Sequence, residues 1–205
     1  WERIGHGPFI NLYEILSSNV WSLTFALLLF MLLAPGYRYV ARWVVPLIVM
    51  LILWLLLTPV KDTFLPPTYN TMWLYFHVLS GKFFLSLLML ASALALAGYG
   101  RHEQRMNIAN LSYLLLAFAL VFDSLMLVFG AIWAQDAWGR YWAWDSLETS
   151  TFITWLVLGI SLHLRVTWRL PQWLGWWLIV LVFVLAFLTF LGLPFSSLGP
   201  HKGML

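Results

Sequence analysis

An all-α, polytopic membrane bundle is the fold class this sequence predicts, and three observations carry the prediction. Hydrophobic residues fill 62% of the 205 positions while charged residues fill 9%. Apolar runs of about 17 residues or more recur along the whole chain, close to the roughly 20 residues that a helix needs to cross a bilayer. The arginines, finally, collect in short connectors between those runs. That combination excludes a soluble enzyme with an interior core and predicts one transmembrane domain over 1–205 with no soluble domain, repeat or low-complexity tract.

About six spans are predicted, at 17–34, 43–60, 72–98, 111–133, 149–164 and 173–193. The first ends at the connector Pro35 to Arg42, and the second at the Lys61 to Tyr69 loop, where Pro66 and Pro67 break the helix. The third ends at Tyr99 to Asn110. The fourth runs into a tryptophan-rich segment, the fifth ends at Arg165 to Gln172, and the sixth stops before Pro194, Gly199 and Pro200. Arg38, Arg42, Arg101, Arg105, Arg165 and Arg169 lie in alternate connectors, which predicts that those connectors are cytoplasmic. The outer side then holds the N-terminal segment with Glu2 and Glu14, the Lys61 to Tyr69 loop, the tryptophan-rich segment and the tail. The net charge of +3 and the pI near 9.3 follow from this orientation signal and imply no nucleic-acid partner. With no cysteine in the chain, any thiol chemistry has to come from a partner. The chain starts at Trp1 without a charged-then-apolar leader, so a processed or partial protein with a further upstream helix is an expectation.

The tryptophan-rich segment, about 133–149, is the most informative stretch. Trp133, Trp138, Trp142 and Trp144 crowd with Tyr141 between two apolar runs, and Gly139 interrupts the series before Asp145 and Glu148. Indoles do gather at membrane–water boundaries. That belt accounts for one or two of them, whereas an apolar shelf with a polar rim suits a flat ligand.

His77 lies about one and a half turns inside the outer end of the third span, with Trp73 and Gly81 at i−4 and i+4 on its face. His201 follows the last span on the same side. Two imidazoles flanking an aromatic shelf could clamp one iron above and below a macrocycle. His163 ends the fifth span beside Arg165, across a hydrocarbon layer of about 30 Å, and is a candidate for a separate site, with helix capping as the ordinary alternative. His6 and His102 receive no role. Lys82 and Asp123 lie at matched depth, each about ten residues from the outer end of its span, and a structural ion pair between them is the preferred expectation. A role for Lys82 in holding a ligand carboxylate is the alternative.

These residues resemble the cytochrome c assembly proteins of the CcsA or ResC type, in the haem-handling superfamily marked by a tryptophan-rich "WWD" segment. The resemblance rests on Gly7 to Glu14, Trp73 to Val78, Trp133 to Asp145 with Glu148-Thr149, Ile153-Thr154-Trp155, and Leu162 to Arg165. CcmC-type exporters share the histidine-flanked plan, and the much larger CcmF proteins share the central block. The chain departs from the family pattern at Ser146-Leu147, at Ser150, and around His201, which sits in Gly199-Pro200-His201-Lys202-Gly203.

The resemblance implies haem transport across a bacterial cytoplasmic or thylakoid membrane and presentation of haem b at an external WWD site for covalent attachment to an apocytochrome c. It implies that His77 and His201 ligate iron at that site, that Trp133, Trp138, Trp142, Trp144 and Asp145 form it, and that His163 matches an inner haem site. It further implies a CcsB-type membrane subunit as partner in a cytochrome c synthase, an apocytochrome Cys-X-X-Cys-His segment as substrate, and a thiol reductant protein. Two readings compete: a CcmC-like exporter passing haem to a chaperone without thioether formation, and a structural membrane subunit without haem.

Overall fold

Six long helices follow one another in the computed structural model, which describes residues 5–168 and 170–192. They are α1 (Leu12–Leu33), α2 (Ala41–Leu57), α3 (Met72–Gly98), α4 (Arg105–Trp138), α5 (Ser146–Thr167) and α6 (Gln172–Leu191), with 3-10 turns at Pro35–Val40 and His102–Gln104 leading into α2 and α4. Each, α2 together with the turn at Pro35–Val40, is long and apolar enough to cross a membrane, so the six predicted spans are all present as helices.

The boundaries differ where polar residues start helices. The first helix begins at Leu12 rather than at 17, because the Asn11 side chain accepts from the Glu14 backbone N–H at 2.8 Å while Glu14 Oε2 accepts from Ile10 N–H at 3.0 Å. The fifth begins at Ser146 by the same device. Asp145 Oδ1 accepts from the N–H groups of Leu147 and Glu148 at 2.9 and 2.8 Å, and Glu148 Oε2 reaches back to Ala143 N–H at 2.7 Å. Both are capping-box arrangements that satisfy otherwise orphaned N–H groups. Helix α4 has 34 residues, which at 1.5 Å per residue is about 51 Å, well beyond the hydrocarbon thickness. Its last turn therefore carries Trp133 and Trp138 clear of the bundle's middle, and half of the predicted tryptophan loop is helix. Gly139 ends it in the left-handed conformation (φ 74°), donating to Gln135 O at 2.9 Å.

The hub is α3. Its apolar window is 72% buried, against 39% or less for every other span, and it packs on α1, α2, α4 and α6. Small residues along it, among them Ser80, Gly81, Ala91, Ser92 and Ala95, are buried and let neighbouring backbones approach. One core runs along the bundle through Leu16, Phe84, Leu88, Leu116, Leu158 and Trp176. A separate cluster of Leu65, Leu74 and Trp133, backed by Phe9, Tyr69 and Trp138, fastens the connecting segments at the end where α3 begins. At the other end Arg101, Arg105 and Arg165 lie over the rings of Tyr39, Trp176 and Tyr113 at 3.7, 5.2 and 5.0 Å.

The expected Lys82–Asp123 ion pair is absent. Lys82 Nζ donates instead to Ser18 Oγ and Asn19 Oδ1 on α1, both at 2.8 Å, and both carboxyl oxygens of Asp123 are buried without a hydrogen-bond partner. Equal depth does not bring two side chains together unless they also point the same way. One residue is a turn of about 100° around a helix, and the neighbour of Lys82, Phe83, is the side chain that meets α4, stacking on Phe122 at 4.8 Å.

Candidate functional site

Two adjoining cavities of about 160 and 70 Å³ open at the end of the bundle where α3 begins, and both are lined by His77, Met126, Trp133, Leu147 and Phe190. The larger continues along α3 past Gly81 to Lys82, Ser18 and Asn19. The smaller reaches Trp138, Trp142 and Glu148.

His77 is oriented by α4. Its Nδ1 lies 2.9 Å from the Met126 carbonyl, which can only accept, so the proton resides on Nδ1 and the lone pair on Nε2. That is the tautomer suited to ligating a metal through Nε2, with the backbone carbonyl as the orienting partner. The imidazole lies nearly parallel to the Trp133 indole, 10° between planes and 6.4 Å between centroids. Gly130 makes the approach possible: a Cβ built there would stand 2.7 Å from His77 Nδ1 and 2.9 Å from Cε1. Met126 O is the helical acceptor facing residue 130, so a bare residue at that position leaves the carbonyl open to the ring.

Gly130→Ala is expected to push the His77 ring off Met126 O while leaving the helix no weaker, since alanine is favoured over glycine in a helix interior by about 1 kcal/mol. The imidazole signals of His77 by nuclear magnetic resonance, read beside thermal unfolding in detergent, check it. Unchanged His77 signals in this variant would mean that the ring is not positioned through α4.

The tryptophans divide into two sets. Trp133 Nε1 donates to Tyr69 O at 3.0 Å and Trp138 Nε1 to Tyr69 Oη at 2.8 Å, with the two indoles edge-to-face at 4.9 Å. These two fasten the Lys61 to Tyr69 loop while also lining the cavities. Trp142 lines the smaller cavity, and its Nε1 is buried without a partner. Trp144 stands outside, 66% exposed, edge-on to Trp142 and Phe152. It is the one non-glycine residue with positive φ (57°) among the described residues, held there between Ala143, tied to Glu148, and the cap at Asp145.

Sequence-predicted residues thus separate spatially. His77, Trp133, Trp138 and Trp142 come together; Trp144 flanks them; Asp145 is engaged in the start of α5. His163 is exposed 17 residues along α5, about 25 Å from its first turn, with Nε2 3.4 Å from Thr167 Oγ1. His201 lies outside the described residues.

A flat, mostly apolar ligand with a metal centre fits the donor set. The walls are mostly apolar, one imidazole lines both cavities, and a buried indole N–H at Trp142 lacks an acceptor. The cavities are smaller than the roughly 300 Å³ at the low end of ligand pockets. A macrocycle would fit only with one edge outside the bundle or with the segment around Trp142 displaced.

Sequence reasoning missed Gly130, Met126 and Tyr69 here, and it missed Ser18 and Asn19. A glycine in an apolar run at the depth of His77, and an asparagine inside a span, were the available signals.

A family model described as cytochrome c assembly protein matches residues 9–201. The chain belongs to that family. It is 28% identical to the cytochrome c biogenesis protein CcsA of Guillardia theta, over 98% of this chain and 78% of that protein. It is 31% identical to the protein of the same name from Chlamydomonas reinhardtii, over 82% of this chain and 52% of that protein, and 27% identical to that of Prochlorococcus marinus, over 98% and 77%. Family membership gives the chain a role in cytochrome c assembly, and the helices above make it a multi-pass membrane member.

Proposed function

We propose that this chain carries haem across the membrane and presents it, at the cavity beside His77, for covalent attachment to an apocytochrome c. The observation that carries the reading is the His77 imidazole, proton fixed on Nδ1 by Met126 O and ring parallel to Trp133, in an apolar cavity under the tryptophan-rich segment. His201 would supply a second imidazole to the iron, and the end of the bundle holding His77 faces the outer, periplasmic or lumenal side, because the arginines gather at the opposite end.

Attachment adds two cysteine S–H groups of a Cys-X-X-Cys-His segment across two vinyl C=C bonds, each forming one C–S and one C–H bond without net oxidation or reduction. The protein's contribution is positioning. His77 would hold the iron of haem b, Trp133 would line one flank of the ring, and the exposed Trp144 with Tyr141 would offer an apolar landing for the incoming peptide. The thiols are the substrate's, kept reduced by a thiol reductant protein.

His163 serves an inner site shared with a CcsB-type subunit. It is exposed on α5 near Arg165, whose guanidinium already lies at that end over Tyr113. Helix capping is the ordinary account of its contact with Thr167, and the exposed ring is also accessible to a partner subunit.

Coexpression with the partner subunit and an apocytochrome tests the scheme. Covalent haem on the apocytochrome is expected, with His163→Ala reducing delivery several-fold at limiting haem while added haem restores it. Haem loading of this chain with no thioether product would instead identify an exporter that hands haem to a chaperone.

A further inference from the structure

Lys82 brings three N–H donors into the middle of a membrane bundle, and two of them are taken by neutral acceptors, Ser18 Oγ and Asn19 Oδ1. Among the described residues no carboxylate meets it. Asp123 makes no hydrogen bond, and Glu14, one turn away from Ser18 on α1, accepts from Ile10 N–H and from Thr63 Oγ1. The cavity that Lys82 lines contains no acidic side chain among the described residues, and besides Ser18, Asn19 and His77 it is formed by apolar groups. A cation at that depth without an anion is costly. Holding it with two oriented acceptors, rather than letting it reach the bundle's end, prepares it for an anion brought by a ligand.

We propose that Lys82 binds a carboxylate of the planar ligand seated beside His77, a porphyrin propionate, and so sets which edge of the ring enters the membrane. This rests on the reading of the cavity as a haem site. Five residues separate His77 from Lys82, a rise of about 7.5 Å along α3, comparable with the reach from the centre of a porphyrin to its carboxylate edge. Ser18 and Asn19 are positioning residues: they aim Nζ. With the propionate edge drawn inward toward Lys82, the opposite edge, which carries the vinyl groups, is left toward the tryptophan-rich segment, where an incoming peptide could reach it. A charge-assisted hydrogen bond in a dry cavity corresponds to roughly tenfold to a hundredfold in affinity.

The full chain in detergent, titrated with metal-free protoporphyrin IX and with its dimethyl ester, tests this without using iron. Porphyrin fluorescence and quenching of tryptophan emission report binding. The wild-type chain is expected to prefer the diacid by about tenfold or more. Lys82→Met should bring that preference to within about twofold, Asn19→Leu should lower it while retaining the lysine, and Lys82→Arg should keep part of it. Equal binding of diacid and ester by the wild-type chain, or a preference that survives in Lys82→Met, overturns the inference. If the preference is absent while ferric haem still gives a His77-dependent absorption spectrum, the carboxylate site fails and the iron site stands. If the preference is present and that spectrum is not, iron ligation at His77 fails and the carboxylate site stands. Helix content by circular dichroism accompanies each variant. Where Lys82→Met does not fold, Asn19→Leu decides: a lowered preference supports the carboxylate site, and an unchanged one overturns it.

Discussion

His77→Ala is expected to lower haem retained by the purified chain at least tenfold and to abolish cytochrome maturation, with imidazole in the medium restoring part of both. In the folded chain Nδ1 of the ring lies on Met126 O, and His77 lines a cavity together with Trp133 and Phe190. Alanine removes the Nε2 donor and leaves a space that free imidazole can enter, because the Met126 carbonyl and the gap opposite Gly130 remain to receive it. A purely structural histidine would behave otherwise, since its loss would remove one hydrogen bond, a net cost of about 0.5–1.5 kcal/mol of stability, without a spectral change. His201→Ala should copy the spectral loss if His201 is the second axial ligand. Absorption spectra of both variants, with and without imidazole, decide the matter. Undiminished haem in His77→Ala would remove the outer site from consideration.

Gly130→Ala sharpens the same point from the opposite direction. It deletes no ligand and adds one methyl group. Equal losses in the two variants would show that the imidazole's placement, and not merely its presence, governs retention.

Much of this arrangement was legible in the sequence because the bilayer imposes it. Runs of apolar residues long enough to cross have to be helices that satisfy their own backbone, so six spans could be counted and all six are there. The gathering of His77 with Trp133, Trp138 and Trp142 was legible for a related reason: residues at the same end of sequential antiparallel helices share a layer. Azimuth was not legible. Depth along a helix is set by counting, whereas direction around it turns by about 100° per residue, and an error of one position exchanges Lys82, which faces α1, for Phe83, which faces α4. Polar residues near helix starts were ambiguous for another reason. Asp145 and Glu148 look like the rim of a binding shelf; Asp145 bonds to the first turn of α5, while Glu148 bonds to Ala143 N–H ahead of it and also lines the smaller cavity. The same chemistry makes Asn11 and Glu14 a helix start. Carboxylates that cap helices and carboxylates that meet ligands are the same residues in sequence, and only the backbone conformation separates them.

Asp123 offers the largest expected gain in stability. It is fully buried in α4, on the stripe shared by Leu116, Ala119 and Met126, with neither oxygen hydrogen-bonded. A buried polar group without a partner costs about 1–3 kcal/mol by protein mutational measures. Asp123→Leu should therefore stabilise the detergent-solubilised chain by about 2 kcal/mol, read as a rise in thermal midpoint, whereas Asp123→Asn should gain less because its amide is equally unsatisfied. Lys82 and Asp123 share no partner, so a double-mutant cycle joining Lys82→Met with Asp123→Leu should be additive to within about 0.5 kcal/mol. A coupling well above that would restore the ion pair between α3 and α4 as the native arrangement. A loss of stability in Asp123→Leu, with additivity kept, would instead show that the carboxyl group is held by a partner that joins the chain during cytochrome c assembly.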